Sequence, residues 1–376
     1  MNKLKAITLF TVVLLTAILL SSCFGANKVQ DGYMCEIYMD TAASENAGKR
    51  FLLSFDNKLE DADHKLVTCG ANNSFLVNQE LDKMLRSEEL PAQLDFCYTY
   101  PDMEFVVFSE YFKDTVQNFI WIRDGDKFIK TELPENHHYL NNIRIENKLY
   151  MISYPDNTAD KNIISIPVTI FDLVNHEFTH HDYKINITDY LSQNAPESLE
   201  TWNNVEYFWS TPNTVTTDGQ NIYLVIPTPS KTTNGEFKMC SWYISFELKH
   251  EDNIIKISEL KREGIGIAVS DKSKVSIITS NDGGREKSYD ITIDTLNGNI
   301  DYHVIEGLDE YGLLSRSDYY DGKFWIPALS SNKFETSSVL VYDVKSKSIF
   351  KSGDDFKGVV ETIRICEYKD GKYYNI

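Results

Sequence analysis

The chain has 376 residues, 42% of them apolar and 12% aromatic, so it is long enough to bury one large core or two smaller ones. A formal net charge of −19 and the absence of a Lys/Arg cluster in the sequence exclude the basic surface that nucleic acids and anionic lipid headgroups require. The aromatic residues are mostly Tyr and Phe, which favour β-strands over helices.

The first 22 residues are typical of a secretory signal. Lys3 and Lys5 form a short positive region, and an uncharged apolar run of about 15 residues follows it. That run is short for a membrane-spanning helix, which needs about 20 apolar residues. We therefore predict a signal peptide over residues 1–22, a tether over residues 23–32 and a folded domain over residues 33–376.

The end of this signal, Leu20-Ser21-Ser22-Cys23, resembles the lipobox of bacterial lipoproteins. Small residues precede the cysteine, and a leucine stands three positions before it. In that family the signal is cut before the cysteine, which then becomes a diacylglycerol-modified N-terminus. The resemblance implies lipidation of Cys23 and anchoring on the extracytoplasmic face of the cell membrane. The alternative is an ordinary secretory signal followed by a chance cysteine.

A degenerate repeat of turn, strand, loop, strand, turn and strand runs through the rest of the chain. Its clearest copy spans residues 321–350, where Asp321-Gly322 precedes Lys-Phe-Trp-Ile-Pro-Ala-Leu and a second apolar run follows a polar gap. Earlier copies lie at residues 31–69, 103–133, 148–185, 218–260 and 274–305. A further strand precedes most copies, at residues 95–100, 141–146, 213–217, 264–270 and 314–320.

The repeating unit therefore has four strands, and radial repetition of four-stranded sheets is typical of a β-propeller. One such sheet cannot cover its own apolar faces, whereas a closed ring of sheets can. We predict an all-β propeller of six blades, closed by residues 361–369 beside residues 33–38. Because Asp370-Gly371-Lys372-Tyr373-Tyr374 resembles the start of another copy, seven blades remain an alternative, and a stack of two β-sandwiches is the structural rival.

Two segments between copies have helical character and are predicted as short helical insertions between blades. Residues 78–89 place Leu81, Met84 and Leu85 at helical spacing, and residues 186–200 include Thr188 as a candidate N-cap. The loops between the second and third strands are long, whereas the turns between strands one and two and between strands three and four are short. We therefore distinguish a long-loop face from a short-turn face, and we expect function on the long-loop face.

Five cysteines follow Cys23, and their odd number argues against a complete disulfide framework. Buried small side chains are the simpler interpretation. The exception is a disulfide between Cys35 and Cys366, which lie on the proposed closing strands and would approach bonding distance if they were directly opposed.

The sequence His176-Glu177-Phe178-Thr179-His180 matches the zinc-binding pattern of metalloproteases, which requires a helix to bring both histidines to one metal. The motif follows a strand-like run and falls where other copies have a turn between strands three and four. On a strand the two histidines would lie roughly 13 Å apart. We therefore predict no metal site here and no cofactor elsewhere.

The candidate ligand-binding residues lie in the insertions and long loops. Trp202 and Trp209 flank the insertion before the fourth copy, where an exposed indole stacks on sugars or anchors a partner. The alternative is that they cover the apolar contact between blades, whereas Trp121, Trp242 and Trp325 are predicted core residues. Asp156, Asp160 and Asp282 lie in long loops and are candidates for ligand or calcium binding.

These observations predict a non-catalytic surface protein that binds an envelope glycan, peptide or protein partner through its long-loop face. The alternatives are a structural role in an envelope complex and a glycosidase or lyase that uses carboxylates in the central funnel. The sequence contains no nucleophile elbow, P-loop or dinucleotide-binding motif, so binding is favoured over catalysis.

Overall fold

The computed structural model describes the residues in the ranges 32–39, 50–55, 66–69, 94–100, 103–112, 115–124, 127–133, 139–153, 162–205, 214–231, 237–249, 254–260, 262–281, 286–314, 316–330, 336–369 and 372–375. The described strands form six antiparallel sheets of four or five strands each. The all-β class is therefore confirmed, and six sheets are more than two stacked sandwiches would contain. None of the described helices is long and apolar enough to cross a membrane.

Each sheet is built from strands that follow one another in the chain, except the first, which joins both ends of the chain. Sheet 1 has the order β26 (Lys372–Asn375), β25 (Val360–Lys369), β1 (Gly32–Met39), β2 (Arg50–Phe55) and β3 (Leu66–Cys69). Sheet 2 contains β4 (Leu94–Tyr100), β5 (Met103–Phe112), β6 (Thr115–Asp124) and β7 (Lys127–Glu132). Sheet 3 contains β8 (Tyr139–Ile145), β9 (Lys148–Ser153), β10 (Ile163–Asp172) and β11 (Glu177–Asn186).

The remaining sheets follow the same order of strands. Sheet 4 contains β12 (Val215–Thr217), β13 (Asn221–Lys231), β14 (Phe237–Glu247) and β15 (Ile254–Leu260). Sheet 5 contains β16 (Gly264–Asp271), β17 (Lys274–Thr279), β18 (Tyr289–Asp294) and β19 (Ile300–Val304). Sheet 6 contains β20 (Tyr311–Leu314), β21 (Asp318–Tyr320), β22 (Lys323–Ser330), β23 (Thr336–Asp343) and β24 (Ser348–Lys357), and both β20 and β21 pair with β22.

Contacts run from each sheet to the next and return from the last sheet to the first. One apolar cluster joins sheets 2 and 3, and others join sheets 3 and 4, 4 and 5, 5 and 6, and 6 and 1. Strand β26 of sheet 1 contacts β4 of sheet 2. The six sheets therefore form a closed cycle of contacts in which each sheet buries an apolar face that it could not cover alone.

Sheet 5 approaches its two neighbours so closely that its first strand requires glycine. A Cβ atom on Gly264 would lie 2.4 Å from Val225 Cγ1 of sheet 4, and one on Gly266 would lie 1.8 Å from the Oγ of Ser317, which precedes β21 of sheet 6. A register shift between these two glycines directs them to different neighbours. The absence of a side chain at both positions therefore permits this close packing.

The closure of sheet 1 differs in two details from what the sequence suggested. Strands β1 and β25 pair as predicted, but Cys35 is opposite Ile365 and Cys366 is opposite Met34. Neighbouring residues of a strand point to opposite faces, so this one-residue offset separates the two cysteines and excludes the proposed disulfide. Strand β26 adds a fifth strand to this sheet by pairing with β25, so residues 372–375 do not begin another sheet.

Two consecutive helices lie between sheets 3 and 4, in the segment where the sequence predicts the second insertion. They are α1 (Ile187–Asn194) and α2 (Pro196–Asn203). The N-cap of α1 is Asn186, whose side chain accepts the N–H of Asp189 at 3.0 Å, rather than Thr188. The Thr188 hydroxyl instead donates to Asn162 Oδ1 at 2.7 Å. The first predicted insertion, residues 78–89, lies outside the described residues.

The short turns repeat one hydrogen-bonding pattern. In sheets 3, 5 and 6 the turns between the third and fourth strands span residues 172–176, 294–298 and 343–347. Each begins with an aspartate whose Oδ1 accepts the N–H groups two and three residues later. The N–H of the fifth residue donates to the carbonyl of that aspartate at 2.8 to 2.9 Å.

The fifth residue of these turns has a positive φ angle in every case. The angle is 56° at His176, 72° at Gly298 and 58° at Lys347. Only glycine adopts this left-handed conformation without steric cost. His176 and Lys347 therefore hold a backbone conformation that the repeat imposes on them.

The two classes of short turn lie on one face of the molecule. In sheets 3 to 6 the residue after the third strand donates its backbone N–H to a carbonyl in the turn between strands one and two, at 2.8 to 3.0 Å. The bonds join Leu173 to Asn147, Leu248 to Gln220, Thr295 to Ser273 and Val344 to Gly322. We keep the name short-turn face for the surface formed by these paired turns.

Candidate functional site

Of the candidate ligand-binding residues that the sequence singled out, the structure describes only Trp202. Trp209, Asp156, Asp160 and Asp282 lie outside the described residues, as does Cys23. Trp202 lies on α2 and is only 1% exposed. Its ring meets that of Trp242 edge to face, with centroids 5.0 Å apart, inside the apolar cluster between sheets 3 and 4.

The structure therefore places Trp202 in the alternative role, which is to cover the contact between two sheets. An indole with this burial has no surface to offer a ligand. Trp121, Trp242 and Trp325 are all buried, as predicted.

The His-Glu-x-x-His motif adopts the strand conformation predicted for it. His176 ends the turn after β10, and residues 177–180 belong to β11. The Nδ1 atom of His180 lies 3.1 Å from Thr169 Oγ1 on the neighbouring strand. Among the described residues, no group of three or more His, Cys, Asp or Glu side chains is arranged to hold a metal ion.

A cleft of about 460 Å³ opens on the short-turn face between sheets 4 and 5. We call it the tyrosine cleft. Its lining includes Tyr190, Asp218, Tyr223, Tyr243, Ile255 and Leu296. Tyr190 comes from α1, Tyr223 and Tyr243 come from the two middle strands of sheet 4, and Leu296 comes from a turn of sheet 5.

Asp218 is the acceptor at the centre of this cleft. Its Oδ1 atom accepts the backbone N–H groups of Gln220 at 2.9 Å and Asn221 at 2.7 Å. Its Oδ2 atom accepts the hydroxyl of Tyr223 at 2.8 Å and the side-chain amide of Asn221 at 3.3 Å. Burial opposes ionisation of Asp218, but the N–H groups of Asn221 and Gln220 outweigh it and hold its pKa below the usual value.

The hydroxyls of Tyr223 and Tyr243 have raised pKa values and remain protonated far above neutral pH. Burial raises the pKa of Tyr243 to about 12, with a further increase from the charge of Asp218. Burial, followed by the hydrogen bond to Asp218, also raises the pKa of Tyr223. At neutral pH Tyr223 and Tyr243 therefore offer uncharged hydroxyls beside the ionised carboxylate of Asp218.

The rim of the tyrosine cleft carries exposed apolar side chains beside polar ones such as Lys272 and Asn297. Leu296 is 84% exposed, and Ile255 on the opposite rim is also exposed. Lys256 Nζ donates to the carbonyl of Gly298 at 2.7 Å and so joins the edge of sheet 4 to the turn that carries Leu296. Exposed apolar side chains beside hydroxyl, amide and carboxylate groups suit a ligand with both apolar faces and many hydroxyls.

A second cleft, of about 740 Å³, opens on the same face between sheets 5 and 6. We call it the charged cleft. Its lining includes the lysines Lys274, Lys323, Lys345 and Lys347. It also includes the aspartates Asp271, Asp321 and Asp343.

A buried ion pair lies next to the charged cleft. Asp290 on β18 has a fully buried side chain, and its Oδ2 atom pairs with Lys347 Nζ and accepts the hydroxyl of Tyr342 at 3.0 Å. The Oδ1 atom of Asp290 is buried and has no hydrogen-bond partner among the described residues. Burial and the charge of Asp290 raise the pKa of Tyr342.

Within the described ranges, the carboxyl groups with shifted pKa values that line the two clefts do not form a general acid and base pair. The pKa of Asp218 is lowered, and so is that of Asp343, because hydrogen bonds from Ser346 outweigh the effect of its burial. Burial raises the pKa of Asp318, but this carboxylate accepts the N–H of Ile365 at 2.7 Å between sheets 6 and 1. Asp318 lies in the lining of neither cleft.

Sequence reasoning missed both clefts because it placed function on the long-loop face. A signal was present in the paired short turns, where Asp218-Gly219 and Asp321-Gly322 begin second strands that carry tyrosine or lysine near their starts. The packing of neighbouring sheets decides which of these side chains meet. The sequence of a single repeat does not contain that information.

Comparison with known proteins gives structural similarity but no family. No protein-family model matches the chain, and no curated protein matches it by sequence. The β-propeller domain of the Trilobed protease from Pyrococcus furiosus is similar with 10% identity and a TM-score of 0.43, over 92% of this chain and 94% of that one.

Two peptidases give similar values. The acylaminoacyl peptidase of Pyrococcus horikoshii has 10% identity and a TM-score of 0.39, over 75% of this chain and 45% of its own. A prolyl endopeptidase has 13% identity and a TM-score of 0.42, over 91% of this chain and 49% of its own. These identities and TM-scores transfer no activity to this chain.

Proposed function

We propose that this protein is a lipid-anchored envelope protein whose six-bladed β-propeller binds a glycan in the tyrosine cleft. The observation that carries the proposal is the cleft itself, which surrounds the ionised Asp218 with tyrosine hydroxyls and amides and has two exposed apolar side chains at its rim. The ligand class extends the prediction of envelope binding and moves it from the long-loop face to the short-turn face.

The six described sheets are the proposed blades. Three observations support this assignment: the closed cycle of contacts between sheets, the pairing of β1 with β25, and the glycines that admit the close approach of sheet 5 to both neighbours. The helices α1 and α2 are then an insertion between the third and fourth blades. The insertion contributes Tyr190 to the tyrosine cleft.

A sugar ring has hydroxyl groups at its edge and C–H groups on its faces. The edge requires donors and acceptors in fixed positions, and the faces pack on aromatic or aliphatic side chains. The donors and acceptors for the edge come from the hydrogen-bond network of Asp218, Asn221 and Tyr223. The aromatic and aliphatic side chains for the faces are those of Tyr190 and Leu296.

A glycosidase or lyase is the alternative, and it requires a carboxyl group that stays protonated near neutral pH to act as general acid. The lowered pKa of Asp218 makes this carboxylate an acceptor and an unsuitable acid. We therefore favour binding without turnover in the tyrosine cleft.

Membrane attachment is proposed from the lipobox resemblance at Cys23. Two acyl chains would anchor the protein stably, since each buried methylene contributes about 0.8 kcal/mol. Cells expressing the chain would be fed an alkyne fatty acid. We expect label on the wild-type protein and none on Cys23→Ala, with Cys240→Ala as a labelled control. Equal labelling of wild type and Cys23→Ala would overturn the anchor.

Glycan binding is tested by thermal unfolding of the full chain in detergent with a panel of amino-sugar and neutral disaccharides. A ligand present at 100 times its dissociation constant stabilises by about 2.7 kcal/mol, which gives a clear shift in Tm. Tyr190→Ala should reduce the shift, whereas Tyr302→Ala, which removes an exposed tyrosine outside the cleft, should not. A shift that both variants reduce equally, or no shift with any sugar, would contradict the proposal.

A further inference from the structure

We propose that the charged cleft between sheets 5 and 6 is a second binding site, and that it takes a short peptide or amino acid with a free ammonium and a free carboxylate. The inference is independent of the glycan proposal, because the two clefts lie on opposite sides of sheet 5 and have different linings.

The rims of the charged cleft carry both signs of charge. Sheet 5 contributes Lys274 and Asp271, and sheet 6 contributes Lys345 and Asp321. All four side chains are exposed, and within the described part of the chain none of them has an ion-pair partner. Each rim can therefore offer one cation and one anion to a ligand in the cleft.

The interior of the cleft has charges that are already paired. Lys323 Nζ lies 3.7 Å from Asp343 Oδ2, and Lys347 pairs with the buried Asp290. The remaining oxygen of Asp290 has no donor within the described residues, although it is completely buried. Asp290 itself does not line the cleft, so the exposed rim residues are the charged groups that remain for a ligand to bind.

Ligands with one sign of charge fit this arrangement less well. An anion would meet three aspartates in a protein with a net charge of −19, and a simple cation would meet four lysines. A metal ion lacks a ligand set, because no suitable group of His, Cys, Asp or Glu occurs in the described ranges. A zwitterion uses both signs, and complementary charges give specificity for it.

The size of the cleft agrees with such a ligand. Sites for small molecules generally have volumes of about 300 to 1,000 Å³. At about 740 Å³, the charged cleft has room for a peptide of a few residues. The hydroxyl-bearing residues Ser270, Ser276 and Thr292 also line the cleft, and Ser276 Oγ donates to Ser270 Oγ at 2.9 Å.

The test is calorimetric titration of the full chain in detergent with triglycine and three capped forms. The capped forms are N-acetyl-triglycine, triglycine amide and N-acetyl-triglycine amide, which lack the ammonium, the carboxylate or both. We expect triglycine to bind roughly fivefold more tightly than either singly capped form, as expected for one partly exposed ion pair. Binding should weaken further with both caps and at high salt.

Variants locate the site. Lys345→Gln and Asp321→Asn alter exposed rim residues, so both should fold and each should weaken triglycine binding roughly fivefold. Lys287→Gln is the matched control, because it removes the exposed Lys287–Glu306 pair outside the cleft. Tyr190→Ala, in the tyrosine cleft, should leave triglycine affinity unchanged even if it abolishes sugar binding.

Three results would overturn the proposal. They are equal affinity for capped and uncapped peptides, no response of triglycine binding to either rim variant, and no binding of triglycine at millimolar concentration. A wild-type chain that binds triglycine but no sugar would instead leave this inference standing and contradict only the proposed glycan site.

Discussion

The two sides of sheet 5 show how one repeated backbone produces two different surfaces. Towards sheet 4 the contact is apolar and ends at the tyrosine cleft, where hydroxyls and one carboxylate share hydrogen bonds. Towards sheet 6 the contact is also apolar but ends at the charged cleft, beside a buried aspartate and its lysine. The turns on both sides share the same backbone pattern, so the difference lies in the side chains that these turns present.

The largest expected effect concerns the buried ion pair, which is present on one side of sheet 5 only. Lys347→Met leaves the carboxylate of Asp290 buried without its cation, and we expect a loss of about 3 to 5 kcal/mol of stability. Asp290→Asn should cost less, because the partly exposed Lys347 side chain can turn towards water. Urea unfolding of both variants measures which substitution lowers the stability more. A larger loss of stability for Asp290→Asn would contradict this account.

On the other side of sheet 5, alkaline unfolding should report the buried Tyr243. Its pKa is raised from about 10 to about 12, so the stability that it contributes is complete below pH 10 and is lost as the pH rises towards 12. Two pKa units correspond to about 3 kcal/mol. Tyr243→Phe should remove this part of the alkaline decline, as measured by urea unfolding between pH 8 and 12.

The control for Tyr243 is the same comparison at pH 8, where the tyrosine is neutral in both states. There the variant should differ from wild type only by its lost hydroxyl hydrogen bond, about 1 kcal/mol. An unchanged alkaline decline in Tyr243→Phe would show that another group causes it.

The shared turn pattern predicts effects of about 1 kcal/mol with opposite signs. Gly298→Ala places a Cβ at a φ of 72° and 3.2 Å from Lys256 Nζ, so it should destabilise by about 1 to 2 kcal/mol. His176→Gly relieves a φ of 56° at the equivalent position and should stabilise by up to about 1 kcal/mol. Thermal unfolding compares the stabilities of the two variants. Destabilisation by His176→Gly would show that the histidine side chain contributes more stability than relief of the backbone strain does.

The smallest effect is expected at the exposed rim. Leu296→Ser removes an apolar side chain that is 84% exposed, so the free energy of unfolding should change by less than about 0.5 kcal/mol. Sugar affinity should nevertheless fall if Leu296 packs on a bound ring. A matched substitution at Val174, which is exposed in the equivalent turn of sheet 3, should alter neither quantity.

The fold was predictable to the extent that its information is local. Asp-Gly and Asn turns between alternating apolar runs predicted nearly all of the described strands, and the position of His176 in a turn separated it from a metalloprotease helix. The opposition of Cys35 and Cys366 failed by one residue, because the repeat pattern places the two strands side by side without specifying which residues face each other. The pairing of β26 with β25 was missed because its sequence resembles the start of a repeat.

The candidate sites were less predictable because they depend on contacts between sheets. Trp202 has the sequence context of an exposed anchor, and only its packing on Trp242 shows that it is buried. Asp290 gives no local signal, since its importance comes from Tyr342 and Lys347, which are more than 50 residues away in the chain. Such pairs form only when neighbouring sheets pack together.

The central claim is that sheet 5 separates two binding sites with different ligands. Hydrogen–deuterium exchange of the full chain tests it most directly, with saturating disaccharide or with saturating triglycine. We predict that the sugar slows exchange in residues 218–223 and 294–298 and that triglycine slows it in residues 321–323 and 343–347. Protection of the same turns by both ligands, or of neither pair of turns, would contradict the account.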